Sequence, residues 1–255
     1  MIFGWLKRRR RAKVLRRPLP DAAAEVLGSM EFVEAFTSDE RSRFEDLVKL
    51  LLDQIYWEGR SGLEVTDEMR VCIAAQACRL TLNLSEDAYR RARTVYVFPG
   101  TYSAHGGDSG EGRSHRHGEA WLRGPMVFSW DAARHGVRNE DDGRNVVYHE
   151  FAHKLDMLDG YADGVPPVAT SGAHQAWTEV LDAEYKALVQ ADERGKRTLL
   201  DKYGATNPAE FFAVATELFF ERPDRMKDRH EELYRSMAAF YRQDPAESQA
   251  RMERR

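Results

Sequence analysis

At 255 residues, with 42% hydrophobic and 11% aromatic content, the chain can bury a substantial core and is neither fibrous nor low in complexity. The formal net charge of −4 conceals an asymmetry: residues 1–17 carry eight Lys/Arg and no acid, so the rest is strongly acidic. An acidic body disfavours direct binding of nucleic acid.

Residues 1–20 form a basic arm. Its apolar run, Met1 to Leu6, falls far short of the roughly 20 residues a membrane span needs. The charges follow the apolar part and no cleavage pattern appears, which argues against a secretory signal. The arm reads as solvated and partly disordered. Its sharper reading is contact with an anionic surface, with Phe3, Trp5 and Leu6 inserting.

Residues 21–255 read as one domain. Its parts are a helical layer over 21–92, a small sheet with loops over 93–135, and metal-binding helices over 136–245. In the first part, Asp21 caps a helix to about Phe36, Ser38 or Asp39 starts another to about Tyr56, and Thr66-Asp67-Glu68 opens a third. Cys72 and Cys78 lie on the third helix about 240° apart and cannot meet, so they read as buried free thiols in a reducing, cytoplasmic compartment.

Thr94-Val95-Tyr96-Val97-Phe98 is β-branched and aromatic, ends at Pro99-Gly100, and reads as a strand. Residues 101–118, with His105, His115 and His117, read as a solvated Gly-rich loop. Pro125 to Trp130 is a second strand, placed at a sheet edge by its leading proline.

The segment Val146-Val-Tyr-His149-Glu150-Phe-Ala-His153-Lys-Leu-Asp156 carries the chemistry. It is expected in a helix from about Glu140–Asp142 to Leu158, with acids in the first turn and Gly160 just beyond its end. His149 and His153 stand one turn apart and can offer two imidazole nitrogens to one cation. Glu150, about 100° round the helix, is placed to take a proton from a zinc-activated water. A peptidase zinc site needs a third protein ligand. Asp159 fails, because the metzincin extension requires a glycine where Asp156 stands. Asp156 itself lies on the histidine face and suits orienting a histidine from behind.

A helix over His174–Ala191 precedes a polar break. The next helix, Pro208 to Glu221, follows Asn207 as cap and carries Glu210 and Glu217 seven residues apart on one face. Either can serve as the remote ligand. Glu210 also fits a capping box with Asn207, and Glu217 also fits an exposed charge; a first-turn carboxylate aimed into a cleft puts Glu210 modestly ahead. A last helix covers His230–Gln243.

These residues carry a resemblance. His149-Glu-Phe-Ala-His153-Lys-Leu-Asp156, Gly124-Pro-Met-Val-Phe-Ser-Trp130 and Tyr203-Gly-Ala-Thr-Asn-Pro-Ala-Glu210-Phe-Phe-Ala-Val together resemble the Mlc titration factor A family of bacterial zinc-dependent peptidases, over roughly residues 20–245. The resemblance implies a mostly helical α+β, zincin-like fold with a small mixed sheet, an edge strand and the metal helix, similar to the catalytic domain of anthrax lethal factor. It implies one Zn²⁺ per chain held by His149, His153 and Glu210, Glu150 as general base, and Tyr203 as a hydroxyl near the metal. Glu217 and Asp156 are left for supporting roles. It further implies an aminopeptidase-like activity on peptides bound along the 125–130 edge, and a second role in sequestering a transcriptional repressor such as Mlc.

Overall fold

The computed structural model describes residues 2–100, 102–103, 115–116, 118–120, 124–167 and 171–254. Where the sequence suggests a disordered arm, residues Ile2–Leu15 form helix α1. Val14 is buried, and Lys7, Arg10 and Arg11 reach Asp87, Asp53 and Glu86 respectively. Like charges crowded on an isolated helix repel, so acidic partners on the body supply what the arm lacks alone.

The helix expected over 21–36 is broken into α2 (Ala23–Gly28) and α3 (Glu31–Glu34), the first ending at a glycine. Helix α4 (Ser38–Gln54) starts at Thr37, which forms a full capping box with Glu40. The chain then turns into strand β1 (Tyr56–Gly59), which is too short to show an alternating pattern in the sequence. Helix α5 (Asp67–Thr81), capped by Thr66, is buried from Val71 to Cys78 and forms the centre of the helical layer. Burial raises the Cys72 thiol to about 12 and the Cys78 thiol further, so both stay protonated.

Strand β2 (Thr94–Phe98) points Val95 and Val97 into the core. A small antiparallel ribbon follows, β3 (Tyr102–Ser103) with β4 (His115–Arg116), and then strands β5 (Gly118–Ala120) and β6 (Met126–Ser129). The main sheet has the order β1-β2-β6-β5, parallel except for β5, which runs antiparallel to β6 with Glu119 opposite Val127. The strand at 125–130 is therefore not the edge. Pro125 sits one residue before β6 and removes no ladder hydrogen bond, so β6 can pair on both sides. The two edges are β1 and β5, and β5 begins at Gly118, the last residue of the segment that reads as loop. His105 and His117 lie outside the described residues.

Helix α6 (Trp130–Arg138), capped by Ser129, leads to α7 (Val146–Asp156), which carries the His149-Glu150-x-x-His153 motif. It starts later than its acidic approach suggests. The Glu140 carboxylate accepts the Glu31 and Phe32 amides at the start of α3, and Gly143 adopts φ 84°, so residues 139–144 form a loop. Helix α8 (Ser171–Glu193), a 3-10 turn at Lys202–Ala205 and α9 (Pro208–Glu221) follow. Three helices close the chain: α10 (Pro223–Arg229), α11 (Glu231–Tyr241) and α12 (Pro245–Glu253). The core joins sheet and helices through aromatic contacts such as Phe128 stacked on Phe151 at 6.1 Å and Trp177 edge-on to Phe212 at 5.8 Å.

Candidate metal centre

Asn145 sets the start of α7. Its Oδ1 accepts the Val147 and Tyr148 amides, each at 3.0 Å, while its Nδ2 donates to Gln76 Oε1 at 2.9 Å and Glu221 Oε1 at 3.1 Å. The side chain is buried, so the cap also fixes the helix's rotation against α5 and α9. With Val147, Phe151 and Leu155 packed into the core, His149 and His153 share another face, their rings 4.9 Å apart.

Helix α9 supplies the carboxylates. Asn207 caps it by accepting the Glu210 amide at 3.0 Å, and Pro208 occupies the first turn. Only half of the capping box forms, because the Glu210 carboxylate turns to the histidines. Its Oε2 lies 2.9 Å from His149 Nε2 and 3.4 Å from His153 Nε2, and the two Nε2 atoms are 3.3 Å apart. Tetrahedral zinc with bonds of about 2.0–2.1 Å separates its ligand atoms by about 3.3–3.4 Å, so this triangle is close to one face of such a tetrahedron. Two imidazoles and a carboxylate are also a donor set that zinc takes in peptidases. Among the described residues this is the one cluster able to hold a metal ion.

Glu217 serves the same ring from behind. Its Oε1 lies 2.8 Å from His149 Nδ1, and its Oε2 accepts the Asn145 amide at 2.6 Å. One helix thus brings a carboxylate to each nitrogen of His149. Burial alone favours the neutral imidazole, but the hydrogen bonds to Glu210 and Glu217 outweigh it and hold the His149 pKa well above its ordinary value. Burial likewise pushes Glu210 up, yet the bonds from His149 and His153 keep it ionised, well below the usual carboxylate range. The point between the three atoms therefore favours a positive charge.

Glu150, next to His149, is buried, and its negative charge acts on both His149 and Lys154. Burial lowers the Lys154 ammonium to about 8. Tyr203 sits on the 3-10 turn, 55% exposed, with its ring 5.9 Å from the His149 ring. Asp156 does not bond to His153: its Oδ2 accepts the Gly164 amide at 3.0 Å, and His153 Nδ1 has no hydrogen-bond partner among the described residues. Burial raises this carboxyl to about 7, and its contact secures the loop after α7. Gly164 there has φ 77°, and a β-carbon would come within 2.3 Å of Pro208 O at the head of α9. Asp159 lies beyond the end of α7 and accepts the Tyr161 amide at 2.9 Å. The cap Asn145 and its partners Gln76 and Glu221 are what sequence reading missed. An asparagine ahead of Val-Val was a usable signal, masked by the acids at 140–142 that look like a first turn.

A His-Glu-x-x-His helix, joined by a glutamate from a distant helix beside a mixed sheet with an antiparallel edge, defines a zincin-like metallopeptidase. Comparison with known proteins sharpens the class. The chain belongs to the glucose-regulated metallo-peptidase M90 family, whose model matches residues 5–242. It is 36% identical over 249 residues to an uncharacterized protein of Synechocystis, covering 94% of this chain and 90% of that one. It is 32% identical over 237 residues to Mlc titration factor A of Edwardsiella ictaluri, covering 89% and 88%. A 142-residue stretch is 37% identical to Mlc titration factor A of Yersinia enterocolitica, covering 52% and 50%. No described helix is long and apolar enough to cross a membrane.

Proposed function

We propose that the protein is a zinc-dependent peptidase of aminopeptidase type, acting in the cytoplasm, with His149, His153 and Glu210 holding one Zn²⁺. The observation that carries this is the triangle of donor atoms at 2.9–3.4 Å. When bound, zinc supplies a Lewis acid for the scissile carbonyl and a lowered pKa for water. Glu217 holds the proton on His149 Nδ1 and so aims Nε2 at the donor point. Glu150 takes the proton of the attacking water and delivers it to the leaving amine. The Tyr203 hydroxyl, on the exposed side of His149, donates to the oxygen that gains charge. The substrate lies extended along β5, whose outer edge can pair with its backbone.

A second reading rests on the name that two of the relatives carry: the chain also binds a transcriptional repressor of the Mlc kind. One variant tests both. Glu150→Gln is expected to retain one zinc per chain and to lose turnover of unblocked peptides by at least about a hundredfold; full turnover would refute the mechanism. A repressor captured equally by Glu150→Gln and wild type supports the binding role, and no capture by either removes it.

A further inference from the structure

Helix α1 uses its two faces for different purposes. At 100° per residue, Lys7, Arg10, Arg11 and Val14 fall on one side. That side is the docked one: Lys7 lies 2.6 Å from Asp87, Arg10 2.9 Å from Asp53, Arg11 touches Glu86, and Val14 is buried. Arg17, just past the helix, adds a contact to Asp53. Trp5, Arg8, Arg9 and Lys13 fall on the opposite side, Arg16 follows one residue past the helix, and all five are exposed. None of those four cations enters an ion pair among the described residues; Arg9 lies over the Trp5 ring at 5.3 Å.

The division matters because the body is acidic. The inner cations neutralise Asp53, Glu86 and Asp87, the acids they pair with, and hold the helix against the body. The outer cations are thereby left as a rigid positive stripe rather than a floppy tail. At its amino-terminal end stand Trp5, 53% exposed, and Leu6, 49% exposed. A tryptophan and a leucine beside a row of arginines match the boundary between headgroups and acyl chains, where indole rings settle and cations meet anionic lipid. A nucleic acid would use the charges but gives the leucine nothing to bury.

We propose that the outer face of α1 docks this protein on an anionic lipid bilayer as a peripheral protein. The proposal is independent of the peptidase reading, since none of these residues lies at the metal centre. The test is co-sedimentation of the full chain with vesicles of phosphatidylcholine alone or mixed with phosphatidylserine, with duplex DNA as competitor. Expected are sedimentation with the mixed vesicles only, weakening with salt, and a loss on the order of a hundredfold in the Arg8→Glu/Arg9→Glu/Lys13→Glu variant. Trp5→Ala/Leu6→Ala should weaken binding without changing its salt dependence. Circular dichroism matching wild type shows that each variant is folded; if the charge-reversed chain unfolds, Arg8→Gln/Arg9→Gln takes its place. Equal binding to both vesicle types, unchanged binding by the charge variants, or displacement by DNA at equal phosphate overturns the proposal.

Discussion

At the scale of single residues, His149 is held at both ring nitrogens, with Glu210 at one and Glu217 at the other. The two oxygens of Glu217 accept from two different donors, His149 Nδ1 and the Asn145 amide. Glutamine has one oxygen and an amide nitrogen that cannot accept, so Glu217→Gln must give up one of these bonds. The expected result is a zinc affinity lower by about 10–100-fold with the fold intact, read by competition with a chelating dye alongside circular dichroism. An affinity equal to wild type would show that His149 is held by its other neighbours. At this scale the sequence was informative about types and spacing: His149, His153 and Glu210 converge as expected. What spacing cannot carry is the allocation of roles between Glu210 and Glu217. Both lie on one face, and only the placement of α9 against α7 decides which carboxylate reaches Nε2.

Among the elements, α9 was legible because its cap is local, and the histidine motif marked α7 but not its start, while the 3-10 turn read only as a polar break. Asn207-Pro208 marks the start of α9, and Thr94–Phe98 reads correctly as a strand. The β5 edge was not legible, since Gly118–Ala120 has no pattern of its own and becomes a strand only by pairing with β6. Helix α1 was hidden for a similar reason: its counter-charges lie at positions 53, 86 and 87, far away in sequence. The junction of the loop after α7 with α9 gives a test of how tightly elements fix the site. Gly164→Ala would set a β-carbon against Pro208 O and strain a left-handed backbone, at a cost of about 1–3 kcal/mol. Because the clash falls on the turn carrying Glu210, zinc affinity should fall together with melting temperature. A variant less stable yet unchanged in affinity would show that the strain is absorbed by the loop.

For the whole molecule, the candidate metal centre is one end of a buried polar seam through Glu217, Asn145 and Gln76, with Glu221 attached. Nearby, Arg79 donates to Tyr148 Oη at 2.8 Å and Phe220 O at 3.1 Å and lies over the Phe32 ring at 4.3 Å, tying α3, α5, α7 and α9 together. Such a seam makes global stability depend on pH. Burial pushes the Glu221 carboxyl from 4.5 to about 9. The folded chain therefore keeps a proton there that the unfolded chain releases; this contribution is complete below about 4.5 and is lost progressively as pH rises to about 9. Glu221→Gln can still accept from Asn145 Nδ2 and has nothing to titrate. Its melting temperature should decline less than that of wild type between neutral pH and about 9; parallel curves would mean that Glu221 ionises freely in the folded protein.

The pairing of one imidazole with two carboxylates from a single helix also sets a rule for how this chain can change over time. Glu210 and Glu217 are two turns apart, and adding or removing one residue between them would rotate one by about 100° relative to the other. The five side chains that pack from Phe211 to Ala215 can be exchanged for others of suitable volume without disturbing that phase. A change in length there cannot be accommodated, so this stretch of α9 is open to substitution and closed to insertion or deletion.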